Sequence, residues 1–217
     1  MTGESVKACV LSSQIIPRAD QSLLRRLGAK ASECSLGIIT SDCDDLSYVA
    51  VDESTKKANV RVVYTKSMYA GADNATTNLA GEWIGIIAGE NPDDVKYGLE
   101  VAKSYIENER GFVKANEDGS IVCFAHCISS IGTYFSKIAK IPVGSSLAYL
   151  IAPPSEAICA LDAALKSADV KIKVFYGPPT ETNFAGGLLT GEQAACEAAC
   201  DSFYTEVKKV ADRPLSV

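Results

Sequence analysis

The pattern Ala50-Val-Asp-Glu-Ser-Thr-Lys-Lys-Ala-Asn-Val-Arg-Val-Val-Tyr64 returns as Ala160-Leu-Asp-Ala-Ala-Leu-Lys-Ser-Ala-Asp-Val-Lys-Ile-Lys-Val174. Asp52 falls on Asp162, Lys56 on Lys166, Ala58 on Ala168 and Val60 on Val170, each by one step (166 − 56 = 110). Arrays of small stacked units repeat every ~20–50 residues, so a step of this length signals two similar domains. Within each copy the apolar spacing changes from helical, before Ala58 or Ala168, to alternating, in Val60-Arg-Val and Val170-Lys-Ile. A helix feeds a strand, twice.

Further matches extend the repeat. Ser35-Leu36 faces Ser146-Leu147 (147 − 36 = 111), and Ile86-Ile-Ala-Gly-Glu90 faces Leu188-Leu-Thr-Gly-Glu192 (188 − 86 = 102). The segment joining the second and third strands is therefore eight residues longer in the first copy (110 − 102 = 8). That freedom marks a surface loop, the usual place for function to diverge. Around this frame the chain reads as a strand from Ser5 to Ser13 running on to Ile16, and a short helix at 20–27 capped by Asp20. A buried strand at 35–41, the repeat helix and its strand follow, then a strand from Trp83 and a helix started by Asn91-Pro92. Val95, Leu99, Ala102 and Ile106 make one apolar stripe, as Cys196, Cys200, Phe203 and Val207 do later. The change of domain falls within 108–119, which gives domains 1–109 and 110–217. The fold class is α/β (α+β): two tandem domains, each a small, mostly antiparallel sheet flanked by helices.

Apolar residues at 47% and charged residues at 22% are ordinary globular values. A net charge of −6 provides no footprint for phosphates, so nucleic acid is not an expected partner. No stretch reaches the ~18 apolar residues of a membrane span, and no signal-peptide core is visible, so a cytoplasmic setting is expected. The eight cysteines read as reduced core residues. In Cys123-Phe-Ala-His-Cys127, strand alternation turns both thiols one way and His126, the only histidine, the other, so no metal site is expected. With one histidine and no nucleophile elbow or glycine-rich phosphate loop, no catalytic constellation stands out. Asp42, Asp44, Asp45 and Glu82 form an acid cluster. Helix capping, a site for a small ammonium ion and acid/base chemistry are all open readings of it.

The Asp-x3-Lys-x-Ala-x-Val signature at Asp52–Val60 and Asp162–Val170 resembles the helix and strand of bacterial microcompartment shell proteins. A strand ending Ile16-Pro17-Arg18-Ala19 comes first here, where single-domain members close with Ile-Pro-Arg-Pro, which resembles the circularly permuted tandem-domain type. Ser35-Leu-Gly-Ile-Ile-Thr-Ser-Asp42, Tyr69-Ala-Gly71, Ala152-Pro-Pro154, Ala163–Val170 and Gln193–Cys200 are similar to the shell proteins of ethanolamine-utilisation microcompartments. In the second domain Cys127-Ile-Ser-Ser-Ile-Gly132 stands where Ile-Pro-Arg would, so Arg18 has no counterpart there.

The resemblance implies a structural shell protein, not an enzyme, forming a homotrimer that acts as a pseudohexamer beside other shell proteins in the cytoplasmic microcompartment. It implies a gated central pore lined by the loops of Tyr69, Ala70 and Gly71 and of Thr182, Asn183 and Phe184, passing ethanolamine or large cofactors such as cobalamin. It also implies lattice contacts through Lys56, Lys166 and Arg18, and an ethanolamine site at Asp45, Glu82, Phe112 and Thr182. No bound cofactor or metal is expected. The rival classes are a small-amine sensor and an enzyme working through Asp42, Asp44, Asp45 and Glu82.

Overall fold

The structure, a computed structural model, describes residues 2–69, 77 and 79–215. The chain divides into two compact units. The N-terminal unit holds residues 8–109 with Gly132–Tyr134, and the C-terminal unit holds residues 2–7, 110–131 and 135–215.

In the N-terminal unit the elements are β1 (Val10–Ile16), α1 (Gln21–Arg26), β2 (Ser35–Ser41), α2 (Asp44–Lys57), β3 (Val60–Ser67), β4 (Trp83–Gly89) and α3 (Pro92–Asn108). The strands form an antiparallel sheet in the order β1-β2-β4-β3. β2, covered on both faces, takes a central place, as a near-continuous apolar run must. On one face Leu36 and Ala88 pack with Ala19 and with Leu24 of α1. α3 begins where the Asn91 side chain accepts the Asp94 N–H, with Pro92 in the first turn, and it buries Val95, Leu99, Ala102 and Ile106. α1 begins as expected, with Asp20 accepting the Ser22 N–H.

The C-terminal unit contains β5 (Val113–Lys114), β6 (Val122–Ile128), β7 (Leu147–Ala152), α5 (Pro154–Ser167), β8 (Lys171–Tyr176), β9 (Ala185–Thr190) and α6 (Gln193–Asp212). It also holds α4 (Thr133–Ala139) from Phe135 onward. The sheet order β5-β6-β7-β9-β8 repeats that of the first unit with one short strand added at the edge. Ala148, Leu150 and Ala152 of β7 pack with Ala157, Ala160 and Ala164 of α5 and with Cys196, Ala199, Cys200 and Phe203 of α6. The small residues of the helices let them lie close to the sheet. Tyr149, between these on the strand, points to the opposite face and meets Phe135, Phe124 and Tyr176 edge-on or tilted.

The repeat reaches individual bonds. β3 shifts register between Val62 and Tyr64, and β8 shifts between Ile172 and Val174, the same step of 110. The Ser35 hydroxyl donates to the Pro17 carbonyl at 2.7 Å, and the Ser146 hydroxyl donates to the Ser129 carbonyl at 2.8 Å.

Two expectations are corrected. The first strand opens at Val10, not Ser5. Residues 3–6 run along 112–114 instead, with Gly3 N–H to Lys114 O at 2.8 Å, Val6 N–H to Phe112 O at 2.7 Å and a bridge from Ser5 to Val113. Alternation fixes which face a side chain takes but not which strand it pairs with. β5 itself lies inside 108–119, the stretch that holds the change of domain, where no strand was expected, since two residues carry no period.

Candidate functional site

The acid cluster sits where β2 hands over to α2, in the N-terminal unit. Ser41 pairs with Trp83 at the end of the β2–β4 ladder, and the Glu82 N–H donates to the Ser41 carbonyl at 2.9 Å. Glu82 is thereby set beside the start of α2. Asp44 and Asp45 occupy the first turn of that helix and are buried, a place the helix dipole favours for carboxylates. The N-cap is Cys43, which makes no side-chain cap bond, so none of the carboxylates caps α2 in the strict sense. Asp42 turns away, its Oδ1 accepting the Cys9 N–H at 2.6 Å, and Asp44 Oδ1 accepts the Asp45 N–H at 2.8 Å. Ser41 and Ser47 both donate to the Cys43 carbonyl, at 2.9 and 2.6 Å, and hold the turn in place.

Burial, and then the charges of Asp44 and Asp42, push the Glu82 carboxyl above its ordinary range. Burial also drives the Cys43 thiol far up, reinforced by Asp45, Asp44 and Asp42. The cluster is a place of concentrated negative potential with one carboxyl poised to take a proton or a cation. Chemically such a cluster offers acceptors to a small cation, and a raised carboxyl among them also has the character of a general base.

Phe112 and Thr182, assigned to the same ligand from sequence, lie in the C-terminal unit. Phe112 is buried against Phe124 and Phe184, ring centroids 5.5 Å away in each case. Thr182 belongs to a tight turn closed by Thr180 N–H to Phe184 O at 2.9 Å and Asn183 N–H to Thr180 O at 3.0 Å. Asn183 takes a φ of 65°, a left-handed value that asparagine tolerates. Tyr69 is exposed just beyond β3, while Ala70 and Gly71 lie outside the described residues.

Among the expected lattice residues, Arg18 is exposed. Lys56 is bonded to Glu53 with 24% of its side chain exposed, and Lys166 is bonded to Asp162 at 2.6 Å with 74% exposed. Cys123 and Cys127 face the core with α6, and His126 stacks on Phe124 at 5.3 Å. Sequence reading missed an aromatic group in the N-terminal unit. Tyr48 stands edge-on to Trp83 at 5.7 Å and stacks on Tyr134 at 6.0 Å, while Asp52 beneath it is fully buried. No local signal marks these residues, because Tyr134 comes from far along the chain.

Two like sheets in one chain, the first opening with a strand that precedes the repeat, define a tandem, permuted domain pair. The bacterial microcompartment (BMC) domain matches residues 35–117, a stretch that opens at β2 and leaves β1 outside. With a shell-protein relative 54% identical over 99% of both chains, this chain belongs to the bacterial microcompartment shell proteins. That relative is the bacterial microcompartment shell protein EutL of Clostridium perfringens. EutL of Escherichia coli is 41% identical over 97% of this chain and 96% of its own. The crystal structure of ethanolamine utilization protein EutL from Leptotrichia buccalis superposes with a TM-score of 0.98 at 58% identity, covering 100% of each chain. The family places the chain in a microcompartment shell, and no described helix is long and apolar enough to cross a membrane.

Proposed function

We propose that the chain is a tile of the shell around an ethanolamine-utilising microcompartment, assembling as a homotrimer whose six units approximate a hexagonal disc and catalysing no reaction itself. One observation carries this reading: both units share an order of four strands and a matching register shift, at Val62/Tyr64 and Ile172/Val174. Units so alike need only a three-fold axis to approach six-fold symmetry. The EutL relatives at 54% and 58% identity support the ethanolamine setting.

In this reading the loops that carry Tyr69 and Thr182, Asn183 and Phe184 line a central gated pore that passes ethanolamine or a large cofactor such as cobalamin. Lys56, Lys166 and Arg18 contact neighbouring tiles and other shell proteins. Ethanolamine is recognised by Asp45 and Glu82 as acceptors for its ammonium group. The raised Glu82 carboxyl supports a cation-binding role, because a bound ammonium would relieve the repulsion from Asp44 and Asp42.

Light scattering coupled to size exclusion is expected to give about three times 22.9 kDa, and electron microscopy to show hexagonally packed sheets. A monomer throughout the micromolar range would overturn the reading. Calorimetry with ethanolamine on the wild type and on Asp45→Asn/Glu82→Gln tests the ligand: heat in the first and none in the second is expected, and equal heats rule the site out.

A further inference from the structure

One helical face is covered in the N-terminal unit, and its repeat counterpart is bare. On α2, Tyr48, Asp52 and Thr55 are covered by Gly132–Tyr134, all within the same compact unit. Gly132 N–H donates to Asp52 Oδ2 at 2.5 Å, Thr133 N–H donates to Thr55 Oγ1 at 3.0 Å, and the Tyr134 ring stacks on Tyr48. The step of 110 carries these three positions to Ile158, Asp162 and Leu165 on α5 (158 − 48 = 110). There Ile158 is 43% exposed and Leu165 37%, and the Asp162 side chain is 63% exposed. Two large, partly exposed apolar side chains thus share one face of the helix, two turns apart with Asp162 between them.

The covering segment has a counterpart as well. Gly132–Tyr134 follow β6 as Asp20–Ser22 follow β1 (132 − 20 = 112). Matching bonds fix this equivalence: Ala19 N–H to Cys34 O at 2.8 Å answers Ile131 N–H to Ser145 O at 3.0 Å. Gly28 and Lys140, the same step apart, both take left-handed φ, 66° and 53°. Beside this segment Leu23 is exposed, at 42%.

We propose that the Ile158–Asp162–Leu165 face of α5 is covered, in a second copy of this chain, by the segment Asp20–Leu23 at the start of α1. This rests on the ring-forming trimer proposed above. Each chain offers this exposed seat and this exposed segment, so copies join head to tail, and a heterologous contact of that kind closes into a ring when the rotation allows. The second copy is favoured as occupant because the covering element seen in the one unit recurs, exposed, in the other.

The contact differs from its model in the N-terminal unit in a way the sequence accounts for. A Cβ at Gly132 would lie 2.3 Å from Thr55 Oγ1 and 2.7 Å from the Asp52 carbonyl, so only glycine comes that close. Asp20 stands at that place in the other segment and must stay farther off. Leu165, where Thr55 stands in α2, fills the wider gap with apolar surface, and Leu23 supplies its partner. Lys166 lies on Asp162 because Ala163 replaces the Glu53 that holds Lys56. It thus brings a positive charge to a seam that would otherwise set Asp20 against Asp162.

Ile158→Glu/Leu165→Glu and, separately, Leu23→Glu are each expected to convert most of the trimer to monomer by light scattering, with Leu215→Glu unchanged as the control. Thermal melts check that each variant is folded. Independently, Ser22→Cys and Ile158→Cys proteins, each with Cys9 and Cys159 replaced by serine, are mixed and oxidised. A covalent heterodimer is expected that neither protein forms alone. Folded glutamate variants that stay trimeric, together with no heterodimer, overturn this interface while the trimer stands. A monomeric wild type removes the trimer and this interface together.

Discussion

Asp52 and Gly132 stand eighty positions apart, and the glycine N–H donates to the aspartate carboxylate at 2.5 Å. Asp162 repeats Asp52 in sequence yet is bonded to Lys166 at the surface. The same residue thus serves as a buried anchor in one unit and a solvated partner in the other.

Asp52→Ala is expected to lower stability by about 1–3 kcal/mol, the cost of leaving a buried donor unmet. Gly132→Ala should cost a similar ~1–3 kcal/mol by overpacking against Thr55. Because the residues touch, the double variant should lose clearly less than the sum. Urea midpoints of the four proteins measure the cycle, and strict additivity would count against the contact.

Glu82 makes stability depend on pH. Its folded carboxyl is raised, so the folded state binds the proton more tightly than the unfolded chain does. Its favourable contribution is full below the ordinary carboxylate value and is lost as pH rises through the raised one. Glu82→Gln should therefore melt higher than wild type at pH 7, with the gain fading towards pH 4. A gain of equal size at both ends, or none at neutral pH, would contradict the placement among Asp44 and Asp42.

Lys166 and Lys56 should contribute unequally to a lattice. Lys166 is 74% exposed against 24% for Lys56, which Glu53 also engages. Lys166→Asp alone is expected to abolish most sheets and, by setting a third carboxylate beside Asp162 and Asp20, to loosen the trimer as well, and Lys56→Asp alone to weaken sheets less, since exposed like charges brought together repel across a contact. Electron microscopy of the two single variants decides, and the reverse ranking would shift the contact to Lys56.

Thiol labelling separates the cysteines by burial. Burial pushes Cys123 up to about 12 and Cys127 up to about 11, and raises Cys196 and Cys200 too. The thiolate is the reactive form. Iodoacetamide at pH 8 should modify exposed Cys9 and Cys159 within minutes and the four thiols packed with α6 only on unfolding. Rapid labelling of Cys200 in the folded protein would contradict the packing of α6.

Helix starts and faces were legible in the chain because they depend on neighbours a few residues away. Asp20 and Asn91 cap as their surroundings dictate, and the stripe Val95, Leu99, Ala102 and Ile106 is buried as its spacing requires. The repeat, and with it the pairing of two like sheets, was equally plain from Asp52–Val60 and Asp162–Val170. The acid cluster was legible as a cluster, but not which of its members meet: the charges that raise Glu82 are those of Asp44 and Asp42, set there by the Ser41–Trp83 register. The packing of Phe112 on Phe184 and of Tyr134 on Tyr48 was not legible at all. Nor was the pairing of residues 3–6 with 112–114, since alternation names a face and leaves the partner open. Asp52 and Asp162 sit in the same local pattern, so local rules give them the same fate. Only the tertiary structure brings Gly132 to the one and leaves the other to solvent, because a close approach depends on where distant backbone travels and on whether a side chain stands in its way.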